Sequence, residues 1–214
     1  MKNLNLMIGS TGISWYDEKK ERTLLMNELL LFVFAYLLGN VLTGQIIAKF
    51  FYGKKLHIEG SGNVGARNAG RVFGKTAFVL TFLGDAGKGG IVILVSRYFD
   101  FSPSVQLAAL LFVVGGHIFP ILFRFNGGKG ASTFIGGFLT FHPLLFILFI
   151  CVFLGFYFWL KSFTMAGMVA VGSYPIVMLL VPYPIVEVAW SACISVLVLF
   201  AHRQTIKEHL QKKR

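Results

Sequence analysis

Two glycine-rich stretches carry the residue types best suited to chemistry. The first is Gly60-Ser61-Gly62-Asn63-Val64-Gly65-Ala66-Arg67-Asn68-Ala69-Gly70-Arg71; the second is Asn126-Gly127-Gly128-Lys129-Gly130-Ala131-Ser132-Thr133. Glycine has no Cβ, so backbone N–H groups can converge on one point, and the interleaved Ser, Asn, Arg and Lys add donors and positive charge. Such a combination suits a phosphate. As a bland alternative, glycine and asparagine are ordinary choices for a linker between helices. The density of Ser61, Asn63, Arg67, Asn68 and Arg71 beside a helix N-terminus favours anion binding for the first stretch. Lys129, flanked by glycines and followed by Ser132 and Thr133 at a helix start, is better placed to hold a phosphate than to snorkel at an interface. Neither stretch is a Walker motif: no glycine stands five residues before the Gly-Lys pair of Gly-Gly-Lys-Gly or of Gly-Lys-Gly, and neither lysine is followed by Ser or Thr. Nucleotide hydrolysis is therefore unsupported.

Other polar residues lie inside apolar runs. Asp85 and Lys88 stand three apart near the middle of a span, where each costs about 2.5 to 3.5 kcal/mol on the insertion scale. They should face the bundle interior and pair with each other, as a structural ion pair or as part of a site. His117, three residues before Pro120, reads as a hydrogen-bonded interior histidine near a proline kink. His202 and Arg203 sit at the exit of the last span, where a helix C-terminus favours basic side chains whatever the function. No Gly-x-Ser-x-Gly elbow is present and no His is followed by Asp five residues on, so a nucleophile or base of those kinds is not supplied. The five His are spread over separate segments without carboxylates at ligand spacing, which predicts no metal site.

The elements that must position these residues are membrane spans. Of 214 residues, 56% are hydrophobic and only 14% charged, too apolar for an ordinary soluble domain. The net charge of +11 is scattered through short loops, which fits positive-inside loops facing anionic head groups and substrates rather than nucleic acid. Residues 1–26 are mixed and polar, read as a poorly ordered extension ahead of a single domain, 27–214. Apolar runs follow at about 28–50, 76–97, 104–123, 144–160, 164–181 and 184–201. The segment 131–141 is about 11 residues, roughly 16 Å of helix, too short for an ordinary crossing. Counting it as a crossing makes seven spans and puts both glycine loops, Lys161 and the basic tail on one side, which the positive-inside rule makes cytoplasmic. Lys19, Lys20 and Arg22, on the opposite side in that arrangement, argue against it. A re-entrant 131–141 leaves six spans and strands the tail. Seven are favoured, the fourth short within protein or a thinned membrane. Cys151 and Cys193 fall in apolar runs and are expected as buried free thiols.

These residues resemble the bacterial acyl-phosphate:glycerol-3-phosphate acyltransferase family, PlsY. Gly60-Ser61-Gly62-Asn63-x-Gly65-Ala66-x-Asn68-x-x-Arg71 matches its first signature, Phe125-x-Gly127-Gly128-Lys129-Gly130 its second, and His202-Arg203 begins its third; Gly116-His117 before Pro120 and Asp85-x-x-Lys88-Gly89 also look like family features. The resemblance implies a seven-helix bundle in the bacterial plasma membrane with a cytoplasmic site. There an acyl group would pass from acyl phosphate to the sn-1 hydroxyl of glycerol 3-phosphate, without a cofactor, giving lysophosphatidic acid and phosphate. It implies that Arg71, Lys129 and His202 hold phosphates, and that Ser61, Asn63 and Asn68 shape the loop or donate to the reacting carbonyl. Gly60, Gly62, Gly65, Gly127, Gly128, Gly130, Ser132, His117, Arg203 and Thr205 would complete the binding site. Partners follow from the same source: membrane lipids and the enzyme that forms the acyl phosphate. The third signature departs from the family: Thr205 replaces its Asn, keeping a hydroxyl but losing the amide's reach, and the later Gly and Glu are missing. Arg67 stands where the family commonly has Thr. Two other readings remain: an anion or organophosphate transporter with Asp85 and Lys88 in its pathway, and a catalytically weak paralogue with a regulatory role.

Overall fold

The computed structural model describes residues 15–211; the first part of the expected N-terminal extension, 1–14, and the last three residues of the tail lie outside the described residues. The described chain forms α1 (Trp15–Gly39), α2 (Thr43–Tyr52), α3 (Ala66–Phe73), α4 (Lys75–Tyr98), α5 (Pro103–Ile118), α6 (Ala131–Phe141), α7 (Pro143–Leu160), α8 (Phe163–Met178), α9 (Ile185–Ala201) and α10 (Arg203–Gln211). No strand occurs among the described residues. Four stretches are long and apolar enough by themselves to cross a bilayer: Glu18–Tyr52, Lys75–Tyr98, Pro103–Phe123 and Pro143–Leu160. The pair α9–α10, bent by 56°, makes a fifth if counted as one span, and α6 and α8 are shorter apolar helices.

Residues 15–26 form the first turns of α1, continuous with the apolar run they precede. That run is one candidate span built from two helices. It breaks at Asn40–Leu42, between α1 and α2, where the buried Lys88 of α4 donates to the Gly39 and Val41 carbonyls. Cys151 and Cys193 are free, as expected, but exposed on outward helix faces, which in a membrane face lipid rather than protein.

Lipid is as apolar as leucine, so helices in it are held by close packing rather than by hydrophobic exclusion. The outer surface accordingly keeps large apolar side chains, among them Leu144, Phe158 and Trp159 of α7. Inside, glycines bring backbones together. A Cβ at Gly136 would collide with the Ala86 carbonyl, so α6 lies directly against α4. The short α6 is thereby enclosed by protein, with Phe134 and Phe138 fully buried and Phe138 packed on Tyr174 of α8 at 4.1 Å between ring centres. Enclosure answers how an 11-residue helix is kept at this depth: its ends need not reach both head-group layers.

The first glycine stretch is no slack linker. Leu56 and Val64 are buried and join Leu42, Ile47, Ala69 and Ala77 in a satellite core, while Gly60 and Gly62 take positive φ (58° and 74°) to turn the chain between these anchors. We predict that Gly136→Val costs about 3 kcal/mol or more through backbone collision. It should read as a sharply lower unfolding midpoint in detergent, and an unchanged midpoint would show that α4 and α6 are not in contact.

Candidate active site

Loops, helix ends and helix faces converge on a cavity of about 560 Å³. Its polar end is built from Ser61, Asn63 and Gly65 of the first loop, Arg67 and Arg71 of α3, Lys129 and Gly130 of the second loop, Ser132 at the start of α6, and His202, Thr205 and Glu208 around the α9–α10 bend. Its other end is lined by Phe78 and Phe82 of α4, Phe146, Phe149 and Phe153 of α7, and Met168 and Val171 of α8. A polar pocket rich in fixed cations thus opens into an aromatic cleft between helices. A smaller cavity of about 220 Å³ shares Arg67, Arg71, Thr164, Thr205 and Glu208 with it and adds Ser162, Met165 and His209.

Each polar group is placed by a local device. Helix α3 starts at Ala66, so Arg67 and Arg71, four residues apart, share one face. Asn68 is buried and shapes the loop from within: its amide donates to the Glu59 carbonyl (2.9 Å) and its carbonyl oxygen accepts from the Ser61 N–H (2.9 Å). That contact holds Ser61 at the cavity edge. Lys129 Nζ donates to Thr205 Oγ1, which ties the second loop to α10. His202, buried at the end of α9, has Nδ1 2.8 Å from the Val198 carbonyl. A carbonyl only accepts, so Nδ1 is the donor and Nε2 is the ring atom left for a ligand.

Of the expected site residues, Ser61, Asn63, Gly65, Asn68, Arg71, Asp85, His117, Lys129, Gly130, Ser132, His202 and Thr205 line the larger cavity. The others are placed differently. Arg203 is exposed: its guanidinium donates to the Phe200 carbonyl and lies 4.2 Å from the Phe200 ring centre, because the bend at His202 sends consecutive side chains apart. Gly60 and Gly62 shape the first loop without walling the cavity. Gly127 and Gly128 are packing positions: the Gly128 N–H donates to the His117 carbonyl at 3.0 Å, and a side chain at 128 would overlap the His117 imidazole. Lys88 pairs with Asp85 at 3.2 Å, as the spacing predicts, but turns from the cavity toward the α1–α2 break.

The sequence counts Arg67 in the charge of the first stretch but gives it no site role of its own, and it does not point to Glu208 or the aromatic lining. The four-residue spacing of Arg67 and Arg71 is the signal for the first. The aromatic wall had none, since any apolar run in a membrane protein offers such residues.

Fold and cavity together define an integral membrane protein whose helices enclose a cation-lined pocket beside an apolar cleft. Comparison with known proteins makes the class particular. The glycerol-3-phosphate acyltransferase family model matches residues 29–212. Glycerol-3-phosphate acyltransferase 1 of Bacillus cereus is 45% identical over 177 residues, covering 83% of this chain and 97% of the relative. The enzyme of the same name from Desulfitobacterium hafniense is 37% identical over 187 residues, covering 87% and 93%. The crystal structure of PlsY (YgiH), an integral membrane glycerol 3-phosphate acyltransferase, in its glycerol 3-phosphate form, matches with a TM-score of 0.80 at 34% identity, covering 88% of this chain and 94% of that one. Its lysophosphatidic acid form gives 0.79 at 33%. The chain belongs to the glycerol-3-phosphate acyltransferase family, and is a membrane acyltransferase of phospholipid synthesis.

Burial holds the Lys129 ammonium below lysine's ordinary 10.5; Glu208 works against this shift and Arg67 adds to it. The charged form binds the anion, so affinity is present below the lowered pKa and lost above it. We therefore predict that affinity for glycerol 3-phosphate, measured by calorimetry, declines on the alkaline side at a pH below 10.5. Lys129→Arg, which stays charged, should remove that decline. A decline unchanged in Lys129→Arg would assign it to another group.

Proposed function

We propose that the protein transfers a fatty acyl group from acyl phosphate to the sn-1 hydroxyl of glycerol 3-phosphate, releasing lysophosphatidic acid and phosphate. One observation carries this reading: three fixed cations, Arg67, Arg71 and Lys129, stand at the head of a cavity whose far wall is aromatic. Both substrates bear phosphate, and one carries a tail that the cleft between α7 and α8 would accept.

In this reading the donor's anhydride carbonyl lies near Ser61 and the first loop. The glycerol hydroxyl oxygen attacks it, the new C–O ester bond forms, and the carbonyl carbon–phosphate oxygen bond breaks. Phosphate departs with the electron pair, and the hydroxyl proton ends on it, directly or by way of His202 Nε2. Phosphate is a good leaving group, so orientation and charge neutralisation supply most of the acceleration. Arg71 and Lys129 hold phosphate oxygens, and Thr205 orients Lys129 in place of the amide that the family commonly has there. The second reading, a transporter using Asp85 and Lys88, loses support because Lys88 is engaged by backbone carbonyls and His117. The site is placed on the cytoplasmic side of a bacterial plasma membrane by the positive-inside rule applied to the seven-span arrangement, in which α6 and α8 count as crossings. The acyl donor implies a functional link to the enzyme that makes acyl phosphates.

We predict turnover of acyl phosphate and glycerol 3-phosphate by purified protein in detergent, followed as lysophosphatidate and released phosphate. Lys129→Ala and Arg71→Ala should each lower kcat/KM roughly 10- to 100-fold, the value of a hydrogen bond to a charged group, with the fold retained. No product from the wild type would sink the reading. For topology, Asn126→Cys and Thr205→Cys, made in a background lacking Cys151 and Cys193, should label from the same side; labelling from opposite sides would eliminate seven spans.

A further inference from the structure

The buried cluster of Lys88, Asp85 and His117 has a role that the acyl-transfer reading does not use. Lys88 lies on α4 and is 3% exposed; His117 lies on α5 and is 3% exposed. An ammonium has three protons and no lone pair. Three acceptors surround Nζ in hydrogen-bonding geometry: the Gly39 carbonyl at 3.1 Å, the Val41 carbonyl at 2.9 Å and His117 Nδ1 at 2.7 Å. Asp85 supplies the counter-charge, with Oδ1 3.2 Å from Nζ and 3.7 Å from His117 Nδ1. An ammonium only donates, so across the 2.7 Å contact His117 Nδ1 is the acceptor.

The proton of the imidazole then belongs to Nε2. That atom lies against Gly128, so close that a side chain there would overlap it, and His117 lines the large cavity together with Lys129. His202 shows the opposite pattern, with Nδ1 as donor. The two cavity histidines therefore present different Nε2 atoms: a donor on His117 and a lone pair on neutral His202.

We infer that Lys88 is a positioning residue: by donating to His117 Nδ1 it holds the ring as the Nε2–H tautomer, whose donor meets a phosphate oxygen beside the Gly128–Lys129 backbone. The same ammonium binds the carbonyls at the α1–α2 break, so the break, the ring and the second loop form one assembly. Gly128 must be glycine for the ring to sit there, and the His117 carbonyl accepts from the Gly128 N–H to keep the loop in register. The inference deepens the phosphate-binding part of the acyl-transfer reading and rests on it, but the ring can be read separately.

The test uses purified full-length protein with ¹⁵N-labelled histidine. Without ligand, His117 should show a protonated Nε2 and an unprotonated Nδ1 by NMR, and Lys88→Gln should disperse that tautomer. Affinities for inorganic phosphate and for glycerol 3-phosphate, measured by calorimetry, need no turnover. His117→Gln places an amide donor where Nε2–H was and should stay within about 3-fold of wild type. His117→Asn, which mimics only the Nδ1 side, should lose 10-fold or more at an unchanged unfolding midpoint. A wild-type ring protonated at Nδ1, or His117→Asn equal to wild type in phosphate affinity, overturns the inference whatever turnover does. The expected tautomer and phosphate binding with no acyl transfer would instead sink the acyl-transfer reading and leave this one standing.

Discussion

The arrangement depends on an ammonium ion buried near the middle of a span. Lys88 cannot be solvated there, and leaving it unpaired would cost several kcal/mol. Asp85 answers its charge, and two carbonyls freed by the break in the first span answer two of its protons. The break is thus a consequence of the lysine as much as a host for it: carbonyls between α1 and α2 are bound by Nζ rather than by the next turn of helix. Removing one partner of a buried pair costs about 3 to 5 kcal/mol, because the other charge stays behind. Asn40 closes the same region, with its amide on the Tyr36 carbonyl and its oxygen taking the Leu122 N–H, so the end of α1 is also fastened to the chain leading into the second glycine loop.

The cavity combines two solvents in one volume. Its head holds Arg67, Arg71 and Lys129 with Glu208 beside them, and its tail is aromatic. A ligand with a phosphate and an acyl chain matches both ends, whereas a free anion would leave the aromatic cleft unexplained. The acidic Glu208 tempers the repulsion among the cations, as its opposing influence on Lys129 shows. Thr205 meets Lys129 directly, so the residue at which this chain departs from the family's third signature still lines the cavity beside that lysine.

Glycine has two distinct jobs in this chain. In the first loop, Gly60 and Gly62 supply positive φ and let the backbone turn between Leu56 and Val64. In Gly128 and Gly136, by contrast, the missing Cβ admits a neighbour, the imidazole of His117 in one case and the backbone of α4 in the other. Sequence patterning cannot separate these uses, because both appear as a glycine in a run. Only the fold tells them apart, by what stands where each Cβ would be.

What the sequence determined by itself is the class and the chemistry. Long apolar runs can only be helices in lipid, since each backbone group must be satisfied within its own segment, and Ser61, Arg71, Lys129 and His202 belong to motifs whose residue types already point to phosphate. The short 131–141 segment was legible for the same reason. Tertiary structure decided direction and pairing. The 56° bend after α9 put Thr205 into the cavity and turned Arg203 out of it. The α4–α5–α6 packing brought Lys88 to His117 across 29 positions of chain, and the break in the first span appeared only where Lys88 reached it. Helix formation is local and leaves its mark in periodicity and composition. Which side chains meet across helices depends on crossing geometry set by a few small residues, and that information is spread over the whole bundle.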